Sequence, residues 1–219
     1  MISRLKNLLD GANMKVKICG ITNLEDALLC CGYGVDAIGF IFYEKSKRYI
    51  SFELAESISK HLPPFVFKVG VFVNEETEKV NQAAKRIGLN AVQLHGDESP
   101  EYIEKINYPV IKSFRINEAF DWKTIDRFEN CDILLDTFST DQIGGTGKSF
   151  DWNLIPEKLR SRIILSGGIT IDKLEFIFDR IKPAAIDLSS SLESSPGKKD
   201  KQKVTEFLKR FNELRSKQC

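Results

Sequence analysis

Lys15-Val16-Lys17-Ile18-Cys19-Gly20-Ile21-Thr22 is the stretch on which the reading of the chain turns. Its first half alternates charged and apolar residues, as a strand with one buried face does. It then stops at a thiol followed by a glycine. Parallel α/β folds present chemistry in this way, because the strand fixes a residue and the following loop leaves it accessible. Taken alone, Cys19 carries two readings: a small buried hydrophobe, or a reactive group at a strand end. The rest of the chain has to choose between them.

Outward from that stretch, short apolar runs recur to the end of the sequence. They are Val16–Cys19, Ala37–Phe42, Phe65–Val73, Ala91–Leu94, Val110–Phe114, Ile133–Leu135, Ile163–Leu165 and Ala184–Leu188. All eight are rich in Val, Ile and Phe and have the length of strands. Most gaps between them hold apolar stripes at helical spacing: Leu24, Ala27, Leu28 and Cys31; Leu54, Ile58 and Leu62; Leu174, Ile177, Phe178 and Ile181. Val204, Phe207, Leu208 and Phe211 form the stripe of a terminal helix. Thr22-Asn23-Leu24-Glu25 reads as a capping box with Thr22 as N-cap. Ser99-Pro100 reads as a cap followed by proline at the first helical position, and Asn74 before Glu75-Glu76 as a cap with an acidic first turn.

Strand then helix, repeated eight times, predicts an α/β fold. The count favours a single closed (β/α)8 barrel of eight parallel strands over an open doubly wound sheet. The interval from Asp136 to Ile163 is the least regular, with a glycine-rich loop and a weak helix near Trp152–Lys158. No composition break or linker divides the chain. The expected organisation is a barrel domain over residues 14–219 behind an extension over residues 1–13, a short helix or a frayed tail. Leu5, Leu8 and Leu9 there stand among charges and lack the apolar run of a secretory signal, and Met14 is an alternative start.

Lys and Arg number 32 against 31 Asp and Glu, a net charge of +1 in 219 residues. That balance gives no general attraction to nucleic acid or to an acidic membrane surface. No apolar run approaches a membrane span. The cysteines are Cys19, Cys30, Cys31, Cys131 and Cys219, an odd set without a C-x-x-C pair, and the histidines are His61 and His95 alone. Neither a disulfide framework nor a zinc pattern follows, and the expectation is a reducing, cytoplasmic setting.

In barrels of this kind the functional face lies at the C-terminal ends of the strands. Read in order, those ends are Cys19-Gly20, Phe42-Tyr43, Val73-Asn74, Gln93-Leu94-His95-Gly96, Ser113-Phe114-Arg115, Asp136-Thr137, Ser166-Gly167-Gly168 and Asp187-Leu188-Ser189-Ser190-Ser191. Polar and small residues gather there after apolar runs. Ser166-Gly167-Gly168 and Ser189-Ser190-Ser191 fall after strands seven and eight, the usual phosphate site of the fold, although each is also an ordinary turn sequence. Asp136 ends an Ile-Leu-Leu run, where apolar walls would suit its carboxyl to donate a proton; the competing reading is a turn cap. Cys19 and Asp136 together make a base and an acid on opposite sides of one mouth.

The ordered set Lys17-Ile18-Cys19-Gly20-Ile21, Gln93-Leu94-His95-Gly96, Leu135-Asp136-Thr137, Gly144-Gly145-Thr146-Gly147, Ser166-Gly167-Gly168 and Asp187-Leu188-Ser189-Ser190 resembles the phosphoribosylanthranilate isomerase family, from about Met14 to the final helix. The resemblance implies a (β/α)8 barrel of tryptophan biosynthesis. Its reaction is the Amadori rearrangement of N-(5-phosphoribosyl)anthranilate to 1-(2-carboxyphenylamino)-1-deoxyribulose 5-phosphate, without a cofactor or metal. It implies Cys19 as general base and Asp136 as general acid, with Arg48 on the anthranilate carboxylate, where the residues alone give a solvated loop charge. It also implies Gln93, His95, Gly145 and Gly147 in the substrate pocket, and Gly167, Gly168, Asp187, Ser189 and Ser190 around the phosphate. The implied partner is a small phosphosugar, with no nucleic acid or membrane, for a monomer or homodimer. One departure is Ser191, where the family usually has glycine after its two serines. Two other readings stand beside this one: a phosphosugar-binding barrel without turnover, and an indole-glycerol-phosphate synthase, for which Lys112 is the one candidate catalytic lysine.

Overall fold

Eight parallel strands pair in chain order, and the last pairs back onto the first to close a barrel. They are β1 (Lys15–Cys19), β2 (Ala37–Ile41), β3 (Phe67–Phe72), β4 (Ala91–Leu94), β5 (Val110–Ile116), β6 (Asp132–Thr137), β7 (Ile163–Ser166) and β8 (Ala185–Leu188). Each coincides with one of the eight apolar runs. The computed structural model describes residues 14–137 and 151–217, so the extension over residues 1–13 and the 144–147 motif lie outside the described residues.

The helices are α1 (Leu24–Gly32), α2 (Phe52–Ser59), α3 (Thr77–Ile87), α4 (Pro100–Ile103), α5 (Glu157–Arg160), α6 (Leu174–Phe176), which runs on through a wide turn over Ile177–Ile181, and the terminal α7 (Lys201–Ser216). Between β5 and β6 the chain forms only a tight 3-10 segment, Trp122–Arg127. Two helix starts differ from the sequence reading. The Thr22 hydroxyl donates instead to the Gly197 carbonyl, so Asn23 caps α1 by accepting from the Asp26 amide at 2.8 Å. Asn74 takes a left-handed φ of 49° and accepts from the Asp97 amide, and α3 begins only at Thr77. Ser99 caps α4 ahead of Pro100 as expected. The α1 stripe also turns: Ala27 and Cys30 are buried, whereas Leu28 is 44% exposed.

Alternation along each strand sorts the side chains into two layers. Those facing outward, among them Ile18, Phe40, Leu135, Leu165 and Ile186, join Val204, Phe207, Leu208 and Phe211 of α7 in the main core. Those facing inward begin with a small apolar floor of Val69, Ala91, Ile111 and Leu134, packed against Ala37 and Ile164. Two residues further along the same strands, on the same face, come Gly39, Val71, Gln93, Ser113, Asp136 and Ser166. The inner column thus changes from apolar to polar within one layer.

After β8 the chain makes a single turn, Ser190–Leu192, and a short antiparallel hairpin of β9 (Glu193–Ser195) and β10 (Lys198–Lys199) before entering α7. No helix among the described residues is long and apolar enough to cross a membrane.

Gly39 leaves the space that Cys19 fills: a Cβ there would lie 2.6 Å from the thiol sulfur and 3.1 Å from the Cys19 Cα. Gly39→Ala is expected to destabilise the fold by about 1–3 kcal/mol, the usual cost of overpacking a rigid interior, as measured by equilibrium urea unfolding.

Candidate active site

Cys19 is the last residue of β1 and is buried. Strand register sets Lys17, two residues earlier on the same inner face, opposite Asp187 of β8. Lys17 Nζ lies 2.9 Å from Asp187 Oδ1, with both side chains almost wholly enclosed. Burial is the largest single influence and would favour a neutral lysine, but the charge and hydrogen bond of Asp187, together with those of Cys19, more than offset it and raise the Lys17 pKa, so the ammonium persists. Burial pushes the Cys19 thiol up, opposed first by the positive charge of Lys17. At rest the site therefore holds a neutral thiol over a cation.

Asp136 stands buried near the end of β6. His95, just beyond β4, places Nε2 3.5 Å from Asp136 Oδ2. Its Nδ1 lies 3.2 Å from the Gln93 amide nitrogen, which also reaches the Ser113 hydroxyl at 3.2 Å. With Gln93 donating to Nδ1, the tautomer assigned by this network carries its proton on Nε2, facing the Asp136 carboxyl. Gln93 Oε1, His95 Nε2 and the Ser189 hydroxyl are buried without a hydrogen bond among the described residues. Buried polar groups of this kind, brought together at one end of a barrel, mark the seat of a polar ligand.

Arg48, in the loop between β2 and α2, is not a solvated charge. Its side chain is only 14% exposed and is held by Glu193 of the hairpin, with Nε 2.8 Å from Oε1 and Nη2 2.7 Å from Oε2. Burial works against ionisation of Glu193, yet the Arg48 hydrogen bonds and the charge of Lys199 keep its carboxyl below the usual carboxylate range. The Arg48 stem crosses Gly20, where a Cβ would come within 2.7 Å of the Arg48 Cδ; Gly20 also needs its φ of +74°.

The loops after β7 and β8 lie on the same side. Gly167 and Gly168 both take left-handed φ, 81° and 67°, and the Gly168 carbonyl accepts from Lys173 Nζ at 2.8 Å. Ser189 packs beside Gly20, its Oγ 3.0 Å from the position of a Gly20 Cβ, and Ser190 opens the following turn. Asp187 lies deeper, at the Lys17 ammonium. Gly145 and Gly147 lie outside the described residues. Lys112 faces outward, bound to the Gly96 carbonyl at 2.6 Å and Glu98 at 2.8 Å, which removes it from the mouth. Sequence reading missed Glu193 and Lys199 as site residues. Their signal was faint: charges in a hairpin far along the chain from the residues they touch.

A family model described as N-(5'phosphoribosyl)anthranilate (PRA) isomerase matches residues 16–210. The N-(5'-phosphoribosyl)anthranilate isomerase of Thermotoga neapolitana is 50% identical over 205 residues, covering 92% of this chain and all of that protein. Two solved structures superpose closely. A phosphoribosyl anthranilate isomerase in complex with reduced 1-(o-carboxyphenylamino)-1-deoxyribulose 5-phosphate is 46% identical, with TM-score 0.81, covering 91% of this chain and 99% of that one. Monomers generated from the dimeric phosphoribosylanthranilate isomerase of Thermotoga maritima are 43% identical, with TM-score 0.79 and the same coverage.

Because Lys17 opposes the effect of burial on the thiol, removing its charge works in one direction. In Lys17→Met/Asp187→Leu, which removes the buried pair together, the ionisation of Cys19 is expected to move to higher pH because Lys17 is the larger of the two influences, read as the thiolate absorbance that disappears in a Cys19→Ser background.

Proposed function

As a member of the N-(5'-phosphoribosyl)anthranilate isomerase family, this chain catalyses the isomerase step of tryptophan biosynthesis, and we propose that Cys19 and Asp136 carry its two proton transfers. The supporting observation is that both are buried at the C-terminal ends of barrel strands, with the Lys17 ammonium one inward-facing position before the thiol. In the Amadori rearrangement Asp136 donates its proton to the ribose ring oxygen. The bond from that oxygen to C1 breaks as the anilinic nitrogen forms a Schiff base. Cys19, as thiolate, then takes the proton from C2, which the iminium has acidified, and the resulting enolamine relaxes to the ketone.

Charge accounts for the order of events. The resting thiol is neutral because burial dominates; the iminium brings a second positive charge, which together with Lys17 favours the thiolate, the thiol proton passing to solvent at the mouth before the C2 proton is taken. Gly167, Gly168, Ser189 and Ser190 cradle the phosphate through amides and hydroxyls. A carboxylate would repel that phosphate, so Asp187 is assigned to holding Lys17 in place. Arg48 takes the anthranilate carboxylate, and Gln93 and His95 line the pocket, with His95 orienting Asp136.

For the assembly, the apolar segment formed by the end of the α2–β3 loop and the start of β3 supports a homodimer. Phe65 is 94% exposed and Phe67 57%, an unusual display for a chain working alone, and a 43% identical relative is dimeric.

Cys19→Ala and Asp136→Asn should each lower turnover at least ~100-fold with an unchanged circular dichroism spectrum, measured by the fluorescence loss of phosphoribosylanthranilate. Near-normal turnover in either would remove it from the mechanism. Phe65→Asp should halve the mass measured by light scattering while leaving the barrel folded; an unchanged mass would reject this loop as the interface.

A further inference from the structure

Lys199 is the most completely enclosed cation of the described ion pairs, with none of its side chain exposed. Its three N–H bonds reach three different parts of the site: the Cys19 carbonyl at 2.7 Å, Glu193 Oε1 at 3.0 Å and the Ser189 carbonyl at 3.3 Å. An ammonium has three donors, and all three are used. Glu193, facing Lys199 across the hairpin register, is in turn the carboxylate that clamps Arg48. The hairpin itself is pinned to the segment that follows the first strand, since its Lys199 amide donates to Asp26 of α1 at 2.8 Å and its Gly197 carbonyl accepts from Thr22 in the loop before α1.

We propose that Lys199 and Glu193 are positioning residues that set the angle of Arg48 for the substrate carboxylate and lock that angle to the end of the cysteine strand. The proposal rests on the reading of Arg48 as the carboxylate's partner. A guanidinium offers a side edge, Nε with one Nη, and an end edge, Nη1 with Nη2. Glu193 takes the side edge through Nε and Nη2, and Nη1 makes no hydrogen bond among the described residues. The end edge is left for a second carboxylate, which it binds through two parallel hydrogen bonds in one plane. The guanidinium plane then fixes the plane of the carboxylate, and through it the tilt of an aromatic ring carrying that group. Unclamped, Arg48 would still be positive but would no longer select that plane. The specificity assigned to this unit is therefore for a planar aryl carboxylate, beyond attraction to any anion. Lys199 adds the link between subsites, because the Cys19 backbone, the Ser189 backbone and the Arg48 clamp converge on one nitrogen.

The test uses two stable ligands, the reduced product 1-(o-carboxyphenylamino)-1-deoxyribulose 5-phosphate and its counterpart without the carboxylate. Both are titrated calorimetrically into the wild-type protein and into Glu193→Gln, Lys199→Met and Arg48→Met. The readout is the ratio of the two affinities, which a general loosening of the fold does not move. In Glu193→Gln the preference for the carboxylated ligand should fall roughly tenfold, with binding of the other ligand within about twofold of wild type. Lys199→Met should show the same loss of preference and also a lower kcat, since the Cys19 carbonyl loses its anchor. Equal weakening of both ligands in Glu193→Gln, with the ratio kept while Arg48→Met loses it, would overturn the positioning role. A ratio kept in Arg48→Met would instead overturn the carboxylate reading beneath it. Glu193→Gln nearly preserves side-chain volume, so it decides the matter even if Lys199→Met fails to fold.

Discussion

The seam between β8 and β1 depends on a charge pair as well as on packing. Lys17 and Asp187 face each other inside the barrel, and neither could be left there without the other, since an unpaired buried charge is strongly destabilising. A one-residue slip along that seam would turn one of the two charges into the apolar layer beneath the helices and leave the other unpaired inside. The pair thus fixes the register in which the barrel closes. Cys19 is two residues beyond Lys17, so the same pair fixes the height at which the thiol stands and the charge it stands over.

This joins two tasks that the barrel otherwise keeps apart. The outward layer, from Ile18 and Phe40 to the α7 phenylalanines, carries the hydrophobic stabilisation and holds no chemistry. The inward column has an apolar floor under a layer of Gln93, Ser113, Asp136 and Asp187. Those polar groups are costly in a dry interior unless they partner one another or a ligand. The price of the active site is accordingly met by the ring of strands around it, which cannot bend to relieve an unmatched group.

How much of this was legible in the sequence follows from distance along the chain. Strand runs and strand-end residues are local patterns, so Cys19, Asp136, Gly167 and Ser189 could be placed from their neighbours. Helix starts were less secure, because a hydroxyl such as that of Thr22 serves whichever acceptor the fold brings near, here a carbonyl 175 residues away. Arg48 shows the same limit. Lys45 and Lys47 precede it in sequence, and its actual partner, Glu193, is 145 residues further on. Lys112 looked available to the mouth until alternation put it on the outer face beside Glu98.

The bond from Lys199 to the Cys19 carbonyl spans 180 residues. During synthesis the amino-terminal strand and its thiol leave the ribosome long before the cation that anchors them exists. A nascent barrel of six or seven strands therefore has an open seam, exposed edges on β1 and the last strand made, and an unanchored Cys19. Chains of such long-range connectivity fold slowly, so the interval before closure is when the unpaired edges of this barrel are open to association with other chains.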